Sequence, residues 1–210
     1  MTAASNSEPA LEAQAFLAGL DDPIARLATA HGPVAAWLPS HGVVPEDALG
    51  RLTLNIVGQM VSVAAALAVY GRLVELCGGR VDAQALATAE EPALLSVGLS
   101  RAKARALHEL GTELACGRFS FEELDSLDDE QVQRRLVGLR GVGPWSAQMF
   151  MLRSMRRPDV FPAGDLGLRR GLERLDGLEA LPTIDAAAQR ALAWRPYRSY
   201  AARYLWLTLR

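Results

Sequence analysis

Leu139-Arg-Gly-Val-Gly-Pro-Trp-Ser-Ala147 is the stretch that decides the reading of this chain. It lies between two segments of helical periodicity, and its Gly-x-Gly core suits a tight turn that brings backbone N–H groups to the start of the second helix. Gly141 and Gly143 leave room for close backbone approach, and Pro144 at the first helical position gives up no useful donor. The amides around Val142 and Gly143 are expected to point outward, where they can hold a phosphate. A Gly-Val-Gly tripeptide also serves plain helix-to-helix connections, so the turn alone leaves both readings open. Phe161-Pro-Ala-Gly-Asp-Leu166 follows at short range and puts one acidic residue, Asp165, where another helix should begin. Its surroundings carry mostly arginine. Together the two stretches point to a protein that grips a nucleic-acid backbone and works on a sugar or base beside it.

Outward from this stretch the pattern is helical throughout. Ala and Leu dominate, aromatic residues make up only 6% of the 210 residues, and β-branched runs are scarce, which favours an all-α fold. Periodicity predicts helices over Glu8–Ala18, Pro23–Ala30, Pro45–Val57, Val61–Cys77, Ser100–Cys116 and Asp128–Leu139, and then over Pro144–Met155, Asp165–Leu175, Ile184–Ala193 and Tyr197–Leu209. Ser100 reads as an N-cap, Asp128 with Gln131 as a capping box, and Gly78-Gly79 and Gly117 as C-terminal stops. Residues 1–10 read as a flexible tail and 11–210 as the folded domain. Within it a central helical lobe is expected over about 45–140 and the hairpin over 139–147. A second lobe would then form from the N-terminal helices plus 148–210, facing the first across a cleft.

Other features narrow the class. The longest apolar run, Val61 to Val69, is far too short to span a membrane, and the first ten residues lack the build of a signal peptide. A cytoplasmic protein is the expectation. Cys77 and Cys116 cannot supply an iron–sulfur cluster, and His31, His41 and His108 show no ligand spacing, so no metal site or cofactor is expected. The net charge of −2 hides an asymmetry. Residues 1–130 hold 8 Lys and Arg against 18 Asp and Glu, whereas residues 131–210 hold 14 Arg against 6 acids. The basic excess coincides with the Gly-x-Gly turn, which favours a polyanion-facing surface there.

The hairpin stretch and the Asp165 loop resemble those of the helix-hairpin-helix (HhH-GPD) DNA glycosylases, and among them the DNA-3-methyladenine glycosylase II (AlkA-like) family. Ile56-Val-Gly-Gln-Met-Val-Ser62, Gly98-Leu-Ser-Arg-Ala-Lys103, Trp194-x-Pro-Tyr-Arg-Ser-Tyr-Ala201 and Tyr204-Leu-Trp206 are similar to further segments of that family. The resemblance extends from about Leu52 to the C-terminus. It implies a two-lobed all-α glycosylase acting as a monomer on double-stranded DNA that contains alkylated bases, in base excision repair at the nucleoid. The larger family members carry an N-terminal β-rich domain, which is expected to be missing here.

The resemblance also assigns roles. Asp165 becomes the catalytic carboxylate, facing a sugar with developing oxocarbenium character. Its plainer role is a helix N-cap, and the two are compatible. Trp145, Met149, Trp206 and Tyr204 fall at base-pocket positions, with core packing as the alternative for Trp145 and for the aromatics of the last helix. Met149 stands where the best-known member has an aromatic. Met60 takes the place of a wedge that fills the gap left by a flipped nucleotide, the alternative being buried core. Gln59 and Ser62 are expected to hydrogen-bond DNA, as are Gly141, Val142 and Gly143 of the hairpin, where the family suggests a monovalent cation on the hairpin carbonyls. Bifunctional relatives place a nucleophilic lysine where this chain has Trp145, and Lys103 is the only lysine present, so no lyase step is implied. The activity expected is hydrolysis of the N-glycosidic bond of 3-methyladenine or 7-methylguanine type bases. The competing readings are a non-catalytic helix-hairpin-helix DNA-binding module, and a glycosylase for deaminated, oxidised or mismatched bases.

Overall fold

A computed structural model describes residues 8–35, 45 and 47–209. The part of the expected tail from Met1 to Ser7, and His41, lie outside the described residues. Twelve α-helices follow one another, and no strand occurs among the described residues. They are α1 (Glu8–Ala18), α2 (Ile24–His31), α3 (Ala48–Val57), α4 (Val63–Leu76), α5 (Ala83–Thr88), α6 (Glu91–Ser96), α7 (Arg101–Ala115), α8 (Asp129–Val137), α9 (Pro144–Arg153), α10 (Leu166–Asp176), α11 (Ile184–Ala191) and α12 (Arg198–Leu207).

Local chemistry sets most of these boundaries. Ser62, Ser100, Asp128, Asp165 and Thr183 each accept a hydrogen bond from a backbone N–H three residues on, so each helix starts where a side chain satisfies one of its orphan donors. Asp128 and Gln131 form the reciprocal capping box that the sequence predicts. Gly78, Gly79 and Gly117 take positive φ just past α4 and α7, as expected of stops. The short helices α5 and α6 escape the periodicity reading. At six residues each they are too brief to repeat an apolar stripe, and Asp82 at the N-cap of α5 is their clearest local mark.

The chain divides into two compact units, 39–150 and 1–38 with 151–210, the division falling inside α9. In the first, Leu52, Ile56 and Val57 of α3, Leu73 of α4, Leu86 of α5 and Leu107 and Leu110 of α7 are buried. Val132 and Leu136 of α8 are buried as well. In the second, α1 and α2 pack on α12, and α10 packs on the same helix. Helix α12 is the most enclosed element of that unit, with Ser199 to Leu205 buried without interruption. Two of its polar groups are satisfied inside: Ser199 Oγ donates to Arg157 O at 2.6 Å, and Tyr204 Oη donates to Gly32 O at 2.7 Å. Arg190 of α11 bridges Asp22 and Asp176 at 2.9 and 2.8 Å, and stacks on Trp194.

Candidate functional site

The unit of residues 39–150 carries the turn that opened the sequence reading. Helix α8 ends at Val137, Val142 N–H donates to Leu139 O at 3.1 Å, and α9 starts at Pro144. Gly141 adopts φ +76°, and a Cβ there would lie 2.6 Å from the Ala106 Cβ of α7, so only glycine fits the turn against that helix. Leu139 and Val142 are buried and anchor the loop. A Cβ added at Gly143 would meet nothing within 4 Å, and no described residue accepts from its N–H. The Gly143 amide is thus exposed. Val142 N–H, expected to point outward, is consumed inside the turn, because closing so tight a loop takes an i to i−3 hydrogen bond. The Leu139 and Gly141 carbonyls each accept one internal hydrogen bond, from Val142 N–H and Gln59 Nε2. Each keeps a second lone pair of the hard oxygen type that suits a monovalent cation.

A second turn, between α3 and α4, belongs to the same unit. Met60 sits there with φ 59° and a side chain 102% exposed, which removes the buried-core alternative. Val61 and Val63 beside it are also exposed, giving an apolar tip. Ser62 caps α4, its Oγ accepting from Ala65 N–H at 3.2 Å. Gln59 turns inward: its Nε2 donates to Gly141 O at 2.8 Å and to Ser146 Oγ at 2.9 Å, so its donor end fastens the Met60 turn to the hairpin. Lys103 Nζ donates to the carbonyls of Val57 and Gln59, both at 2.8 Å. In α9, Trp145 is half-buried, while Met149 one turn on is only 1% exposed and backs the helix from the core side.

The other unit carries Asp165. Its Oδ1 accepts from Leu168 N–H at 2.9 Å and from Trp206 Nε1 at 3.1 Å, so the carboxylate is at once the N-cap of α10 and the partner of an indole from α12. The positive end of the α10 dipole lies beside it. Gly167 makes this convergence possible, since a Cβ there would lie 3.0 Å from Asp165 Oδ1 and 3.3 Å from the Trp206 ring. Arg153, at the end of α9, adds a cation in the field of Asp165. Burial draws its guanidinium down to about 10, with Asp165 pulling the other way and Arg203 pushing down further. Sequence reading missed Gly167, Arg153 and the Trp206 contact; a glycine two residues after a capping aspartate was the one local signal. Tyr204, expected at the pocket, is fully buried with its hydroxyl committed to Gly32 O, and burial raises that hydroxyl to about 12. Several of the arginines in the basic excess are paired with acids of the same chain. Arg190 serves Asp22 and Asp176, Arg195 and Arg198 serve Asp159, and Arg135 and Arg140 pair with Glu123 and Glu109.

Two helices joined by a Gly-x-Gly turn with an outward amide, in a chain whose aspartate opens a further helix, define a helix-hairpin-helix protein. The family described as HhH-GPD superfamily base excision DNA repair protein matches residues 55–196, and this chain belongs to it. Among solved structures, Schizosaccharomyces pombe 3-methyladenine DNA glycosylase (Mag1) in complex with abasic DNA is 26% identical with a TM-score of 0.82, covering 94% of this chain and 96% of that one. DNA-3-methyladenine glycosidase from Bacillus halodurans is 30% identical with a TM-score of 0.78, over 97% of this chain and 90% of that one. DNA-3-methyladenine glycosylase 2 of Escherichia coli is 31% identical over 172 residues, which are 77% of this chain and 58% of the relative. The chain spans little more than half the length of the curated relatives it first matches, 56% and 57% for two Bacillus subtilis proteins. No helix among the described residues is long and apolar enough to cross a membrane.

Proposed function

We propose that this chain is a monofunctional DNA glycosylase that hydrolyses the N-glycosidic bond of alkylated bases in duplex DNA and leaves an abasic site. The observation that carries the reading is the Asp165 carboxylate, held on Oδ1 by Leu168 N–H and Trp206 Nε1 in a chain of the HhH-GPD superfamily. A purine methylated on a ring nitrogen is already cationic and departs as a neutral base, so no acid is needed to protonate it. The positive charge that develops is on the sugar. The aspartate carboxylate stabilises that charge as the C–N bond breaks and takes the proton from the water that adds to the anomeric carbon, while the lesion's own positive charge replaces the acid that ordinary glycosidases use on the leaving group.

The remaining groups follow from their chemistry. The Gly143 amide suits a backbone phosphate, and a monovalent cation on the hairpin carbonyls would add positive charge beside it. Met60 is an unbranched apolar side chain free to enter the base stack as the target nucleotide leaves it. Trp145 offers its indole face to the extruded cationic base, while Trp206 orients Asp165. Met149 and Tyr204 are core residues, each of its own unit. The single lysine has both observed hydrogen bonds to protein carbonyls, and no lysine stands at Trp145, which supports hydrolysis without a Schiff-base step. Relatives named for 3-methyladenine support that substrate class, and 7-methylguanine, likewise cationic on a ring nitrogen, is proposed with it.

Asp165→Asn tests the reading. It keeps the cap and the fold, since asparagine also accepts from Leu168 N–H. Base release from methylated duplex should fall by about 100-fold or more with DNA affinity retained. Excision near the wild-type rate would remove Asp165 from the mechanism, and borohydride trapping of an enzyme–DNA adduct would contradict the monofunctional assignment.

A further inference from the structure

The turn that presents Met60 is held in a conformation its own residue disfavours. Met60 has φ 59°, a left-handed conformation that L-residues disfavour. With its side chain 102% exposed, no burial of its own keeps it there. A residue stays in such a region only where its surroundings over-determine it.

Here those surroundings converge on Lys103. Its Nζ donates to Val57 O and Gln59 O, both at 2.8 Å, and these two carbonyls flank Gly58 just ahead of Met60. Val57 is the last residue of α3, so the ammonium also meets the negative end of that helix. The stem is fixed in turn, because Lys103 N–H lies in the first turn of α7 and donates to the capping Ser100 Oγ at 3.3 Å. Gln59 then carries the restraint to the hairpin through Gly141 O and Ser146 Oγ. The choice of residue fits the geometry. Histidines aside, every other basic side chain in the molecule is arginine, whose planar fork spreads its donors over three nitrogens. A lysine ammonium aims tetrahedral donors at both carbonyls from a single atom. Burial lowers the Lys103 pKa.

We infer that Lys103 is a positioning residue for Met60: by bridging the Val57 and Gln59 carbonyls it fixes the left-handed turn that aims the methionine into the DNA stack. The inference rests on the wedge role proposed above. It places Lys103 behind the wedge, acting through it.

Two measurements on the full chain test this. Hydrogen–deuterium exchange over residues 56–63 of the free protein reads the turn. The fluorescence of 2-aminopurine beside an abasic analogue in a duplex reads insertion of the wedge. Lys103→Met should speed exchange in that segment by about tenfold or more and leave α10 and α12 unchanged. It should also reduce the fluorescence response to that of Met60→Ala, slow single-turnover base release by about tenfold, and add nothing to Met60→Ala in the double variant. Lys103→Arg keeps the charge and also serves if the methionine variant does not fold; it should behave like the methionine variant. Full recovery by arginine, unchanged exchange, or losses that add in the double variant would overturn the inference. Faster exchange in Lys103→Met alongside an unaltered signal in Met60→Ala would overturn the wedge role of Met60 and leave Lys103 as the holder of the turn.

Discussion

Gly167→Ala separates the position of the Asp165 carboxylate from its mere presence. Gly167 is the second residue of α10, and its φ lies outside the range that only glycine favours, so alanine meets no backbone objection. The objection is spatial. A Cβ would stand 3.0 Å from Asp165 Oδ1 and 3.3 Å from Trp206 Cδ1 and Nε1, where ordinary contact begins at 3.4 Å. The carboxylate must retreat by about 0.4 Å, and if a 1 Å misplacement costs about 100-fold in rate, this one costs about sixfold. Stability moves the other way. Alanine in a helix is worth about 0.5–1 kcal/mol over glycine, which roughly offsets the crowding, so the melting temperature should stay within about 3 °C of wild type. Single-turnover release of 7-methylguanine, measured beside thermal melting, reads both quantities. An unchanged rate at an unchanged melting temperature would refute the claim that this contact sets the reacting geometry. A melting temperature lowered by about 10 °C or more would show that the contact is structural instead.

Three further outcomes follow from other parts of the molecule. Gly143→Asp puts a carboxylate into open space beside the hairpin amide. It should fold normally and weaken binding to damaged and undamaged duplex alike by about tenfold at low salt, a loss that shrinks as salt is added; unchanged affinity would show the hairpin is not the anchor. Trp145→Ala should slow release of cationic lesions about 2- to 30-fold more than release of neutral hypoxanthine, the span of a cation–π contact, whereas equal losses would assign the indole to shape alone. Burial pushes the Asp22 carboxyl up, but hydrogen bonds from Arg190, Ile24 N–H and Trp194 hold it below the ordinary range. Its contribution to stability is therefore present above the ordinary carboxylate pKa and is lost as pH falls through the lowered folded value. Asp22→Asn should cost about 1–2 kcal/mol at neutral pH and flatten the acid limb of the stability curve; an acid limb as steep as wild type would refute the assignment.

What could be read from sequence and what could not divides along chain distance. Helix starts, the hairpin and the capping role of Asp165 depend on groups within a few residues of one another, and the order Asp-x-x-Leu or Leu-x-Gly-Val-Gly displays them directly. The contacts that tune the candidate site do not. Trp206 reaches Asp165 across 41 residues and Lys103 reaches Val57 across 46, and no periodicity in one sequence marks such a meeting. Arginine counts show the same limit. The excess after residue 130 looked like surface, yet Arg190 and Arg198 spend their guanidinium groups on Asp22, Asp176 and Asp159. Gln59 shows the middle case: its place beside Met60 was legible, but not that its amide would face the protein.

The enclosure of α12 bears on how the molecule is made. Residues 39–150 form one uninterrupted stretch, so every partner in that unit has left the ribosome while the final helix is still being assembled. The other unit has no such schedule. Gly32 waits for Tyr204, and Asp22 waits for Arg190 and Trp194, contacts separated by 172, 168 and 172 positions. Helices α1 and α2 precede α12 along the chain, so Leu17, Ile24 and Ala28 lack that helix as cover until it has been made. A chain stopped short of residue 198 would lose the helix on which both ends of its sequence meet, and with it the seat of the aspartate's indole partner.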